Sequence, residues 1–248
     1  FALVMNFGMY WFADKIILFM YKAKEVSKDT KLYSIVKDIA RKAELPMPKV
    51  YIVPSANPNA FATGRGPSHS AVACTEGIMA LLSEKELRAV IAHEMSHIKN
   101  RDTLITTIAA TIAGVIAYVA SMIRYAAFFG GFGGRDDRNG PGLLELLALA
   151  IVTPLLATII QLAISRQREY LADSRGARIV KDPNSLADAL LKIEEGVKQK
   201  PMTIGTEATS SLFIANPFRG NALLNLFSTH PPIKDRVDKL RKMKLSSE

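Results

Sequence analysis

Apolar residues return every three to four positions in several stretches of the chain, and each such stretch predicts an amphipathic helix. In Val26–Ala43 the apolar face is Leu32, Ile35, Val36 and Ile39, and "LPMPK" closes the helix. In Ser185–Lys198 it is Leu186, Leu190, Ile193 and Val197; in the charged segment Ile233–Lys244 it is Ile233, Val237 and Leu240. Strand-like runs are short: Val50–Val53 is one and Ala71–Met79 another, with the turn-rich "PSANPNAFATGRGPS" between them. Ser83 and Glu86 make an S-x-x-E capping box, which predicts a helix start ahead of His93 and His97. Together these segments predict an α+β fold, mostly helical, with a small β-sheet. Pro201–Asn221 is polar and Gly-containing, and reads as a mobile loop.

Two runs break the amphipathic pattern. Thr103–Ile123 carries no charge over 21 positions, and Leu146–Ser165 none over 20. At about 1.5 Å rise per residue each spans roughly the 30 Å of a hydrocarbon core. Small residues in the first run (Ala109, Ala110, Ala113, Gly114, Ala117) suit close helix packing in lipid. The pair reads as a transmembrane hairpin; the alternative is two buried or re-entrant helices, since Pro154 and Gln161 interrupt the second run. Phe1–Phe12 is uncharged but too short to span, so it reads as the tail of a truncated N-terminal span, with Tyr10, Trp11 and Lys15 at the interface. The expected organisation is an interfacial or membrane segment over residues 1–21, a catalytic unit over 22–102 and 166–248, and the hairpin over 103–165.

Composition adds little until it is placed along the chain. The formal charge of +9 lacks the aromatic-interleaved basic stripe of a nucleic-acid surface, which excludes nucleic acid as the expected partner. Basic residues instead flank the apolar runs: Lys15, Lys22 and Lys24, then Lys99 and Arg101, then Arg166 and Arg168. By the positive-inside tendency, the side bearing His93 is cytoplasmic and the protein a multi-pass component of the cell membrane. A single cysteine, Cys74, excludes an intramolecular disulfide.

The chemistry lies in "HEMSH". Histidines four apart on a helix project from one face and can hold one Zn²⁺, while Glu94 sits beside the metal, where it can take a proton from water that the metal acidifies. A catalytic zinc wants a third protein ligand and one open position. "REYLAD" offers Glu169 for that place, with Asp173 one turn on as a hydrogen-bond acceptor steadying a ligating histidine. The other reading of Glu169 is a surface pair with Arg166 or Arg168. His69 sits in loop sequence and reads as a solvated surface histidine.

"PNAFATG", "HEMSHIKNRD", "SRQREYLAD" and "FSTHPP", in this order, resemble the HtpX family of membrane-embedded zinc metalloproteases, relatives of the CAAX prenyl proteases. The similarity runs from about Lys15 to Lys244. It implies a zincin-like catalytic domain on the cytoplasmic face, with a hairpin between the zinc-binding helices. It also implies endoproteolysis of damaged or misfolded membrane proteins, often with self-cleavage, so that the partners are unfolded polypeptides and the bilayer. Matched position by position, His93, His97 and Glu169 become the ligands of one Zn²⁺ per subunit, and Glu94 the general base. His230 in "STHPP" is a matched position too: it either stabilises the oxyanion of a tetrahedral intermediate or fixes the approach to the last helix. The segment Asn57–Gly64, Asn59 included, is expected to shape the substrate cleft. The strand Ala71–Thr75 (Ala71, Val72, Ala73) is expected to be an edge to which substrate adds by β-pairing. The departure is the N-terminus, where the family usually has two spans. Two alternatives remain at this stage: a narrow processing protease for a lipidated or membrane peptide, and a scaffold whose structural zinc takes Cys74 or His230 as a fourth ligand.

Overall fold

The computed structural model describes residues 2–129, 143–200, 213–214 and 230–245. Helix α1 runs Ala2–Met20, past the charged Asp14 and Lys15 and eight residues beyond Phe12. Strand β1 (Lys24–Glu25) and helix α2 (Lys31–Lys42) follow. The helical period placed the start of α2 at Val26, but Thr30 caps it, accepting from the Tyr33 N–H, so the helix begins five residues later. Strands β2 (Lys49–Val53), β3 (Ala60–Gly66) and β4 (His69–Thr75) complete the sheet. The turn-rich stretch expected to be a loop therefore contains a full strand, β3. The predicted run Ala71–Met79 splits at Thr75, whose hydroxyl caps the short helix α3 (Glu76–Leu81).

The sheet order is β1-β2-β4-β3: β2 and β4 are parallel, with Val50 opposite Val72, and the flanking pairs are antiparallel. Strand β4 is thus interior and β3 is the edge. Side chains alternate between two cores. Val50, Val72, Cys74 and Ala60 face a main core built with Val36, Ile39, Ile91, Met95, Leu190 and Ile193. Val53, Ala73 and Phe61 face a smaller one with Tyr21 and Phe213. In the smaller core the Tyr21 ring lies 5.6 Å from Phe61 and 6.2 Å from Phe213.

Helix α4 (Glu84–Lys99) crosses the main core, and its capping box is complete: Ser83 accepts from the Glu86 N–H, and Glu86 accepts from the Ser83 N–H at 2.8 Å. Helices α5 (Asp102–Phe129) and α6 (Leu143–Val180) follow, then α7 (Pro183–Gln199) and α8 (Ile233–Arg241). Within α5 and α6, segments of 24 and 31 residues are long and apolar enough to cross a bilayer. In the apolar 18-residue stretch of each, only 6% and 11% is buried, against what helices of a soluble core would show. Ile108, Ile112, Val119 and Met122 on α5, and Ile151, Leu155, Ile159 and Ile160 on α6, are exposed, an apolar surface that suits lipid. Pro154 inside α6 lacks the N–H that would bond to the Ala150 carbonyl; the Arg124 guanidinium of α5 donates to that oxygen instead, at 2.8 Å.

Candidate metal centre and active site

Three helices meet at one point: the C-terminal half of α4, the first turn of α5, and the part of α6 beyond its apolar run. Close approach of α4 and α6 depends on Gly176, where a Cβ would stand 2.8 Å from the His93 N and 2.9 Å from its Cα. His93 and His97, one turn apart on α4, both turn Nδ1 toward a carboxylate. His93 Nδ1 is 3.0 Å from Asp173 Oδ1 on α6, and His97 Nδ1 is 2.6 Å from Asp102 Oδ2 on α5. With Nδ1–H committed in this way, each ring presents the lone pair of Nε2. The two Nε2 atoms lie 3.1 Å apart with the rings edge to face. Glu169 closes the triangle, Oε1 at 3.6 Å from His97 Nε2 and Oε2 at 3.8 Å from His93 Nε2. One ligand atom from each of the three residues lies within 4.8 Å of the other two.

This donor set fits a divalent metal. Ligand nitrogens held at about 2.05 Å by one tetrahedral zinc stand ~3.3 Å apart, and the three separations bracket that value. The 3.1 Å between the two Nε2 atoms is bridged either by a proton between the rings or by one cation bound to both. Glu169 Oε2 lies beside the Arg236 guanidinium and the His230 ring, which leaves Oε1, 3.6 Å from His97 Nε2, as the oxygen turned to the triangle. Two imidazoles and one carboxylate, with room for a fourth ligand, are a donor set that zinc accepts.

Glu94 is buried beside this triangle, and its Oε2 accepts from the Ala62 N–H of β3 at 2.9 Å. Burial pushes its carboxyl above the ordinary range; the neighbouring imidazoles and the Ala62 N–H oppose that, while the Glu169 charge adds to it. Burial opposes charge on the His97 ring, but the Asp102 hydrogen bond and the Glu169 and Glu94 carboxylates prevail and push it up to about 9. His230, just ahead of α8, places Nδ1 3.3 Å from Glu169 Oε2. Cys74 faces the main core, where burial first and the Glu94 charge second push its thiol up to about 12, and it is outside the converging set. His69 is exposed at the start of β4.

Sequence reasoning named Asp173 but missed the other charged residues behind the ligands, Arg236 and Asp102. Arg236 of α8 has no exposed surface; its Nε and Nη2 donate to Asp173 Oδ2 and Oδ1 at 2.8 and 2.6 Å, and Nη1 lies 3.1 Å from Glu169 Oε2. Asp102, which orients His97, is held in turn by Arg168 through Nε at 2.5 Å. The adjacency of "NRD" to "HEMSHIK" was the available signal for Asp102; a buried arginine in the charged "IKDR" had none.

The expected substrate-facing residues need correction. Ala71, Val72 and Ala73 are buried and β4 is paired on both sides, so that strand offers no free edge; β3 does. Asn59 is buried as well: its N–H donates to Thr75 Oγ1 at 2.9 Å, and its Oδ1 accepts from the Ile214 N–H at 3.1 Å. Asn59 therefore ties Ile214 to the sheet instead of lining a cleft. The rest of Pro201–Asn221 lies outside the described residues.

The model of peptidase family M48 matches residues 26–244. A "Protease HtpX homolog" of Syntrophotalea carbinolica is 55% identical over 98% of this chain and 86% of its own length. Relatives of the same name from Pyrococcus furiosus and Aquifex aeolicus are 51% and 50% identical, over 98% and 95% of this chain and 84% and 80% of theirs. Among solved structures, S. mikatae Ste24p has a similar fold, with a TM-score of 0.64 at 18% identity. That likeness covers 96% of this chain and 56% of Ste24p. With a His–His–Glu triangle that could hold a metal and a family match over nearly its whole length, the chain belongs to peptidase family M48, among the HtpX proteases.

Proposed function

We propose that this chain is a zinc-dependent endopeptidase integrated in the cell membrane, with its catalytic residues at the cytoplasmic face. Its substrates are extended segments of misfolded or damaged membrane proteins, its own chain included, and its role is membrane-protein quality control. The observation that carries the reading is the convergence of His93, His97 and Glu169, with Glu94 beside them, where α5 begins and α6 leaves its apolar run. Residues 22–102 and 166–248 then form a zincin-like catalytic unit, residues 103–165 a membrane hairpin inserted in it, and residues 1–21 an interfacial or membrane segment. Lys99, Arg101, Arg166 and Arg168 on the metal side favour the cytoplasmic orientation.

Zinc, when bound by the three ligands, polarises a carbonyl and acidifies water. Glu94 is the general base: burial keeps its carboxyl above the ordinary range, nearer the neutral pH at which a base works best. The Ala62 N–H fixes one carboxylate oxygen and leaves the other to take the proton. An extended peptide adds to the edge of β3, on which strand alternation places the backbone polar groups of Ala60 and Gly64 and the Ala62 carbonyl, the Ala62 N–H being held by Glu94. His230, beside Glu169, is placed to donate to the oxyanion that develops on the cleaved carbonyl.

The test is Glu94→Gln in detergent-purified protein. Zinc stoichiometry and melting temperature should match the parent, while cleavage of casein and of the chain itself falls about 10²–10⁴-fold. Undiminished proteolysis would sink the mechanism.

A further inference from the structure

Beside His97, a shallow cleft open to solvent separates the edge strand β3 from the joint between α4 and α5. Ala62, Gly64 and Gly66 leave it open on the strand side, Ile98 and Leu104 line its apolar wall, and Arg65 and Arg101 bring positive charge to it. The Arg65 guanidinium is already stacked 4.2 Å over the Trp11 ring. Arg101 differs from the other cations around the joint. Lys99 donates to the Ala43 carbonyl, Arg168 to Asp102 and Arg175 to Asn100, whereas the exposed Arg101 side chain makes no hydrogen bond or ion pair among the described residues. Its backbone, at φ 53°, is the left-handed residue that ends α4 and turns the chain into α5, so its position is fixed by the fold.

We infer that this cleft is a subsite for an acidic substrate side chain close to the cleaved bond, with Arg101 as its specificity-determining residue. The inference rests on the endopeptidase reading above. Glu94 is anchored at Ala62, so the cut falls next to that residue, and Gly64–Gly66 lie about 7–13 Å further along the strand. A peptide added antiparallel to β3 runs its amino-terminal side over those glycines. A carboxylate within about three residues before the cut therefore enters the cleft and pairs with an uncommitted guanidinium. A lysine or arginine in the same place meets two like charges. The site thereby disfavours the basic flanks that cytoplasmic membrane segments ordinarily carry.

The experiment uses the zinc-loaded full chain in detergent and quenched fluorescent peptides that differ by one Glu/Gln exchange at each of four positions before and after the cut. At one position before the cut, kcat/KM for Glu should exceed that for Gln about tenfold, and the advantage should shrink as salt rises. The Glu/Gln ratio should collapse towards one in Arg101→Asn, whose asparagine tolerates the left-handed backbone. It should invert in Arg101→Glu and persist in part in Arg101→Lys. Brisk cleavage with a flat profile overturns the subsite and leaves the protease reading standing; no cleavage of any peptide by zinc-loaded protein overturns both. An unchanged profile in Arg101→Asn, with weakened binding to anionic vesicles, overturns the inference by making Arg101 a headgroup contact.

Discussion

Replacing Gly176 with alanine sets a methyl group against the backbone of the metal-binding helix. The new Cβ would stand 2.8 Å from the His93 N, 2.9 Å from its Cα and 3.1 Å from the Ala92 carbonyl carbon, where ordinary contact begins at 3.4 Å. The obstructing atoms are backbone, so no rotamer change relieves the clash. Helices α4 and α6 must separate by about 0.6 Å at this level, the difference between 2.8 and 3.4 Å. Two effects on stability oppose each other. Overpacking costs about 1–3 kcal/mol, while alanine gains roughly 1 kcal/mol over glycine in a helix interior. The net cost is about 0–2 kcal/mol, too wide a range for stability to be the deciding readout.

Metal affinity is the sharper one. Glu169 and Asp173 ride on α6 and His93 on α4, so the shift acts directly on ligand separations of 3.6–3.8 Å and on the 3.0 Å His93–Asp173 contact. Metal sites tolerate errors of only about 0.2 Å in ligand distance. Zinc affinity, measured by competition with a chelating dye, should fall at least about tenfold in Gly176→Ala, an estimate set by the effect of losing a ligand's orienting partner. Gly114→Ala is the control: nothing lies within 4 Å of the position its Cβ would take, so it should leave affinity unchanged. An affinity within twofold of the parent in Gly176→Ala would refute the claim that the helix contact sets the ligand geometry.

Arg236→Met leaves the buried Asp173 and Glu169 carboxylates without their cation, and unfolding should be easier by about 3–5 kcal/mol. Arg236→Lys should recover less than half of that, because an ammonium cannot fork across Asp173, and full recovery would show that charge alone matters. Asp102→Asn should raise the zinc dissociation constant about 10–100-fold and also lower the melting temperature, since the His97 ring loses its charged anchor and Arg168 its counter-ion; an unchanged constant would remove Asp102 from the site. For Glu86, burial alone would raise the carboxyl, but the Lys192 ammonium and the Ser83 N–H and hydroxyl outweigh it and hold it below the ordinary value. A depressed folded-state value contributes stability that is present above the unfolded value of about 4.3 and lost as pH falls through the folded one. With excess chelator present throughout, Glu86→Gln should be less stable by about 1–2 kcal/mol at pH 7, with the gap closing under acid; a gap independent of pH would count against the linkage.

What the chain revealed before folding, and what it hid, follows from how many elements each feature needs. His93 and His97 lie on one helix, so their spacing alone fixed a shared face, and Ser83 and Glu86 marked where that helix starts. The apolar runs were equally local. Strand β3 escaped notice because "AFATGRG" is too rich in glycine and alanine to alternate; its pairing with β4, interrupted by an irregularity between Gly64 and Gly66, makes it a strand. The edge was assigned to β4 because neighbours in sequence do not fix neighbours in a sheet, and β2 pairs with β4 across an intervening strand.

Asp173 was legible one turn beyond Glu169, but Asp102 and Arg236, the other charged residues behind the ligands, were hidden for a deeper reason. Arg236 stands in a highly charged helix, and the docking of α8 against α6 and α7 buries it. Asp102 and Asp173, the carboxylates that set the histidine rings, are carried by α5 and α6, the same helices that hold the apolar runs. The metal geometry therefore depends on how those two helices pack on α4, a property of three elements together that no single period along the chain encodes. It also accounts for the short distance between ligand and apolar run: a hairpin that began many residues after His97 would leave that ring without Asp102 to orient it.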